Sequence, residues 1–180
     1  EDASHAIGGK YLDQQIGSCK YSDITVFSFH PVKIITTAEG GIATTNNLDL
    51  SIKMNLLRSH GISRDPLMMT KEQEGPWYYQ QLDLGMNYRM TDIQAALGIS
   101  QMRRLDEFVR YRHKLQERYD QLLAGLPIII PHQSSKSYSA LHLYPIQLLT
   151  NKLNKTRASI FHQLRSNDIG VNVHYIPVHT

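Results

Sequence analysis

The 180-residue chain is 41% hydrophobic and 19% charged, a globular composition that excludes a disordered polypeptide. Its net charge of +3 is too small and too scattered to specify nucleic acid, although it suits an anionic nucleotide-linked ligand. The single cysteine, Cys19, excludes an intrachain disulfide framework, and no run approaches the roughly 20 apolar residues of a membrane span. With no signal peptide at the start, these features predict a cytoplasmic protein without membrane partners.

Glu1-Asp2-Ala3-Ser4-His5-Ala6 leads into Gly8-Gly9 and a turn-rich stretch reaching Gly17. Taken alone, an Asp and a His three apart read as a helix cap or an exposed pair. Ile24 to Phe29 alternates as a strand should, then meets Pro31, which cannot continue a central ladder. The chain therefore leaves the sheet near His30 and presents Lys33 just past a strand end. Glu39-Gly40-Gly41 then permits a tight path into a second strand, Ile42 to Thr45. A lysine between two strands at the edge of an α/β sheet sits where ligand crevices form; a solvated loop lysine is the plainer alternative. Ser28, at the end of its strand, either donates to a phosphate oxygen or simply terminates the strand. His30 receives no role.

From Asn46-Asn47 the pattern is helical, with Leu50, Met54 and Leu57 at helical spacing and Gly61 as the stop. Residues 62–84 lack periodicity, and a loop of that length tends to be functional. Its Trp77, Tyr78 and Tyr79 either line a sugar or uracil pocket or pin the loop down. Thr91 with Gln94 forms a capping box. A stripe of Ile93, Ala96, Leu97, Met102, Leu105, Phe108, Leu115, Tyr119 and Leu122 predicts helix to about Gly125. About 34 residues would span roughly 50 Å, so a bend or break is expected near Asp106.

After Pro127 the composition changes, which places a boundary between residues 1–125 and 126–180. Ile128 to Ile130 and Ala140 to Leu149 read as strands around a Ser/Lys-rich loop, with His142 and Tyr144 alternating with Leu141 and Leu143. Asn154 is the expected cap of a helix carrying Ile160, Phe161 and Leu164, and Val171 to Tyr175 a short strand, completing a strand–helix–strand unit. The nine histidines show no H-x3-H pair and no Cys partner, so no metal site is expected.

Three separated blocks, EDASHA, SFHPVK followed six residues later by GG, and GMNYRMTDIQAALG, resemble the DegT-type sugar aminotransferases, which depend on pyridoxal 5'-phosphate (PLP). The resemblance implies a partial type I (aspartate aminotransferase-like) PLP-transferase fold of the α/β class. Residues 1–125 would be the second part of the PLP-binding large domain with its linking helix, and residues 126–180 part of the small C-terminal α+β domain. Compared with the family, the chain is expected to be an internal or C-terminal piece.

The same resemblance implies roles for individual residues. Lys33 bonds covalently with the cofactor and moves the proton, Asp2 pairs with the pyridine nitrogen, and His5 lies by the phenolic oxygen. Ser28 holds the phosphate, Asn87 reaches the phosphate of the neighbouring subunit in a homodimer with shared active sites, and His174 and Tyr175 contact the nucleotide-sugar. Arg89 serves the same anionic groups or is simply solvated. A subgroup that dehydrates sugars carries His at the lysine position, so Lys33 favours transamination. Within the family the likeness points to pseudaminic acid synthesis, with L-glutamate as donor and C4 of a UDP-linked 4-keto-6-deoxy-N-acetylhexosamine as acceptor. Another dTDP- or UDP-linked ketosugar is the nearest alternative. The phosphate-binding helix start and ring-stacking aromatic of the family are not found, so the 180 residues alone are expected to be inactive, a folded or oligomerisation module. A binding protein without covalent cofactor chemistry is the remaining rival.

Overall fold

In this computed structural model residues 1–179 are described; the last residue of the second expected domain lies outside them. The elements in chain order are β1 (Lys10–Tyr11), β2 (Gln14–Gln15), β3 (Thr25–Ser28), β4 (Gly41–Thr44), α1 (Leu48–Arg58), β5 (Ile62–Ser63), β6 (Gln80–Gln81), α2 (Asp92–Met102), α3 (Leu105–Leu122), β7 (Ile128–Ile129), β8 (Ser137–Tyr138), β9 (Gln147–Leu148), a 3-10 turn (Thr150–Lys152) and α4 (Arg157–Ser166).

The β3–β4 hairpin is antiparallel, with Thr25 opposite Thr44 and Ser28 opposite Gly41. Period-two alternation sends Thr25 and Phe27 inward and Val26 outward, so one face is buried. The chain start adds a third rung: Ala3 N donates to Val26 O at 2.8 Å and Val26 N to Glu1 O at 2.9 Å, a parallel bridge at Asp2. That bridge places Asp2 beside the strand that leads to Lys33.

Beyond β3 the hairpin tightens rather than ending. Phe29 N donates to Gly40 O, and Phe29 O accepts from both Thr37 N and the Thr36 hydroxyl. Gly40 has φ +148°, and a Cβ there would lie 2.5 Å from Thr37 Oγ1 and 2.7 Å from Met90 Cε, so the closure needs glycine. The Lys33 loop is thus shut at its neck. Its floor is the core: Ile34 and Ile35 pack with Ala3, Phe27, Phe29, Leu105, Val109 and Ala140. Ile35 is 1% exposed, and burying such a side chain contributes about 1.5–3 kcal/mol. Lys33 is carried on two anchored neighbours.

Asn47 caps α1 by accepting from Asp49 N and Leu50 N, and the Thr91–Gln94 capping box starts α2 as the sequence predicts. The long helical stretch breaks at Arg103-Arg104, just before the expected Asp106, and Arg104 starts α3 without a side-chain cap.

Four expectations need correction. The apolar stripe is not buried along its length: Leu105 and the unpredicted Val109 are buried in α3, whereas Ile93 is 84% exposed and α2 buries no residue. Residues 140–146 are not a strand, because Arg112 Nη1 donates to the carbonyls of Leu141 and His142, which removes them from any ladder. The Ser/Lys-rich stretch instead supplies β8, which pairs with β1 across the expected boundary, and β9 pairs with β7. Thr156, not Asn154, caps α4 by accepting from Ser159 N. Residues 171–175 form no strand, since none of the described residues pairs with them, and the strand–helix–strand unit is not completed. Among the described residues no helix is long and apolar enough to cross a membrane.

Candidate active site

Three elements bring charged groups within electrostatic reach of one another near the closed loop. Asp2 arrives on the parallel bridge, His5 on the turn that follows, and Lys33 on the loop itself. Asp2 Oδ1 accepts from Ser4 Oγ at 2.6 Å and Ser4 N at 3.0 Å. These two bonds hold the carboxyl of the exposed Asp2 below the usual carboxylate range; slight desolvation opposes them, and the charges of His5 and Lys33 add to them. Asp2 therefore carries a negative charge well into mild acid. Lys33 is half-buried, and among the described residues no carboxylate or carbonyl takes its ammonium. The amine within electrostatic reach of the Asp2 carboxylate is thus not held in a structural ion pair among the described residues.

His5 meets a residue that the sequence singled out without assigning a role. The His142 ring lies against it at a 52° tilt, centroids 4.3 Å apart. Burial, followed by the Lys33 charge, pushes the His5 imidazole down, while Asp2 pulls it up. His142 is pushed much further, to about 4, first by burial and then by His5, Lys33, Arg112 and His174. Its Nδ1 is buried, with no hydrogen-bond partner among the described residues. The signal for this residue was present as an imidazole in the alternating run Leu141-His142-Leu143-Tyr144; the alternation misdirected it toward a strand. Leu141 takes φ +52° while 8% exposed, and the two Arg112 bonds lock it there. The strap is pinned further along by Tyr144, whose hydroxyl donates to Asp120 Oδ1 at 2.5 Å.

The other expected residues lie at varying removes. Ser28 ends β3 opposite Gly41, its hydroxyl oxygen accepting only a long 3.4 Å bond from His30 N. His174 is exposed, packs its ring against Tyr175, and is close enough to act electrostatically on His5 and His142. Asn87 pairs with Ser59 beside the end of α1, and Arg89 is exposed before α2; among the described residues neither is joined by a hydrogen bond or ion pair to the Asp2–His5–Lys33 cluster. His30 approaches Glu39 at 3.9 Å, with both side chains exposed, a pair of little energetic weight.

The fold is that of a partial type I PLP-transferase. The structure matches Helicobacter pylori PseC, an aminotransferase involved in pseudoaminic acid biosynthesis, with a TM-score of 0.85 at 32% identity over 99% of this chain and 45% of that one. It also matches Spr1654 of Streptococcus pneumoniae, assigned as a sugar aminotransferase. The TM-score is 0.81 for the PLP form, over 97% of this chain and 43% of that one, and 0.83 for the PMP form, at 32% identity in both. Residues 1–180 match the DegT/DnrJ/EryC1/StrS aminotransferase family, and the chain belongs to it; the cofactor of that family is PLP. Among curated relatives, the UDP-4-amino-4,6-dideoxy-N-acetyl-beta-L-altrosamine transaminase of Campylobacter jejuni is 40% identical over 185 residues, covering 99% of this chain and 45% of that protein. An uncharacterized protein of Methanocaldococcus jannaschii is 38% identical over 180 residues, 46% of its length. The chain spans just under half the length of these relatives.

Proposed function

We propose that this chain is the catalytic-lysine portion of a PLP-dependent nucleotide-sugar aminotransferase, which passes the amino group of L-glutamate to C4 of a UDP-linked 4-keto-6-deoxy-N-acetylhexosamine. The observation that carries the reading is that an unpaired lysine, an ionised aspartate and a histidine lie within electrostatic reach of one another near one loop. The family membership and the Campylobacter relative support it.

The residues fit the cofactor on their own chemistry. Among the described residues Lys33 offers an amine with no partner, Asp2 a carboxylate kept charged by Ser4, and Ser28 a hydroxyl without a strong bond of its own. Lys33 Nζ is assigned the covalent bond to the aldehyde carbon, Asp2 the ring nitrogen, His5 the phenolic oxygen and Ser28 the phosphate. PLP, when bound, supplies an electron sink for the pair left behind as the donor loses its α-proton. Once the donor's amine displaces it, Lys33 Nζ would be the free base that lifts that proton and hands it on, and in the second half of the transfer it would collect a proton again and be the acid that gives one to the acceptor carbon. Asp2 serves by keeping the ring nitrogen protonated, since a carboxylate beside it favours the cation. Asn87, exposed on the outer side, is assigned to the phosphate of the neighbouring subunit in a homodimer; Arg89, His174 and Tyr175 are assigned to the nucleotide-sugar.

The test is a panel of UDP- and dTDP-linked ketosugars offered with L-glutamate to the native protein that carries this chain. Mass spectrometry and NMR of the product give the amination site. A product aminated at C4 of the UDP-linked hexosamine is expected; amination of a dTDP-sugar alone would move the substrate, and no amination of any sugar would remove the reading.

A further inference from the structure

We propose that His142 is a binding residue of the Lys33 site, whose Nδ1 receives an anionic oxygen of the bound molecule, in the amino-transfer reaction a carboxylate of the amino-acid donor. The naming of the carboxylate rests on the aminotransferase reading; the anion contact does not.

Three observations carry it. First, His142 Nδ1 is buried and unpaired among the described residues, and leaving such a group unsatisfied is costly, a cost removed when a ligand atom meets it. Second, the ring is held in place before any ligand arrives. It rests on His5, the backbone on its N-terminal side is fixed at φ +52° at Leu141, and Arg112 clamps the carbonyls of both Leu141 and His142. A buried leucine kept in the left-handed region marks a position that the surroundings over-determine, and such positions concentrate at functional sites. Third, the charges around the ring are unbalanced. From the loop comes Lys33, from α3 Arg112, from the N-terminal turn His5, and from the C-terminal stretch His174; Asp2, engaged by Ser4, acts on His5 and not on this ring. A field of that sign favours an anion. The imidazole is neutral in the absence of ligand, and an anion on Nδ1 stabilises its protonated form, so binding takes up a proton at this ring.

The sign follows from linkage. Where one proton is taken up, affinity rises as pH falls, by up to about tenfold per pH unit. The experiment follows the ring signals of His142 and His5 by NMR in the native protein, unloaded and PLP-loaded, while glutarate or inorganic phosphate is added between pH 5 and 7. The expected result is a His142 shift that saturates with glutarate, a rise in its pKa, and binding that tightens as pH falls. A response to phosphate and not glutarate would assign the contact to a phosphate oxygen and overturn the carboxylate. No movement of the His142 signal with either probe would overturn the anion contact.

His142→Phe keeps a ring against His5 but removes the nitrogen, and is expected to weaken glutarate tenfold or more and flatten the pH slope. His142→Asn restores a polar nitrogen near the Nδ1 position, and is expected to regain part of the affinity without the slope. Unchanged affinity and slope in His142→Phe would refute the proposal; should that variant not fold, the wild-type ring titration decides alone. Anion binding at His142 in a protein that aminates no sugar would leave this inference standing and remove the aminotransferase reading.

Discussion

The Lys33 loop and helix α2 make opposite use of apolar residues. Around Lys33, Phe27, Phe29, Ile34 and Ile35 are all under 9% exposed and pack on the first turns of α3. Helix α2 carries Ile93, Leu97, Ile99 and Met102, yet all four are exposed and none of its residues is buried. The loop is therefore built by contacts within this chain, whereas α2 exposes apolar side chains on several sides, of the kind that association surfaces cover. The difference separates what these residues do alone, hold a lysine beside an aspartate, from what needs further surfaces. It agrees with a chain that spans less than half of its relatives.

The largest expected effect lies at the loop itself. Lys33→Ala removes a half-buried side chain with no internal partner, so the fold should survive, while amino transfer in the native protein falls by at least about 10²–10⁴-fold. Steady-state kinetics alongside circular dichroism checks both halves. Stability then sharpens the contrast between the two regions. Ile35→Ala should cost about 2–5 kcal/mol in urea unfolding of the chain. Ile93→Ala, at a residue 84% exposed, should stay within about 0.5 kcal/mol. Equal effects would break the comparison. If α2 meets a second copy in the native protein, Ile93→Asp should shift that protein toward the monomer in sedimentation, with little change in the unfolding of the chain.

The pH dependence has a defined sign. His142 has a folded-state pKa of about 4 against an ordinary value of 6.5, so between those values the unfolded chain binds more protons. The His142 contribution to stability is accordingly complete above pH 6.5 and declines as pH falls toward 4. Unfolding of His142→Phe should lose this decline, and a wild-type curve flat from pH 7 to 4 would contradict the burial of that ring. The α2 cap contributes modestly: Thr91→Ala should cost about 1 kcal/mol in the same assay, more than Ile93→Ala.

What could be read in the sequence was what is decided locally. Pro31 ends a strand by lacking a donor, Gly40 closes the neck because a Cβ would strike Thr37, and Thr91 with Gln94 starts a helix within four residues. Each of these features depends on neighbours in the chain. The expectations that failed depend on partners far away. The 140–146 run looks like a strand until Arg112, some 30 residues earlier, takes two of its carbonyls. Alternation at 171–175 does not make a strand without a partner to pair with it. Asn154 and Thr156 are equally good caps in isolation, and Thr156 alone is placed to meet Ser159 N. The Asp2–His5–Lys33 grouping was visible through the family resemblance, whereas His142 was not, because nothing in its own neighbourhood says that it meets His5.

The central claim concerns one nitrogen, and reduction tests it most directly. The native protein that carries this chain is incubated with PLP, treated with borohydride, digested, and the modified peptide sequenced by mass spectrometry. A single phosphopyridoxyl group on Lys33, lost in Lys33→Ala and unaffected by the loss of any other lysine, is the predicted result. Modification spread over surface lysines, or a protein that binds PLP but leaves Lys33 unlabelled, would contradict the account.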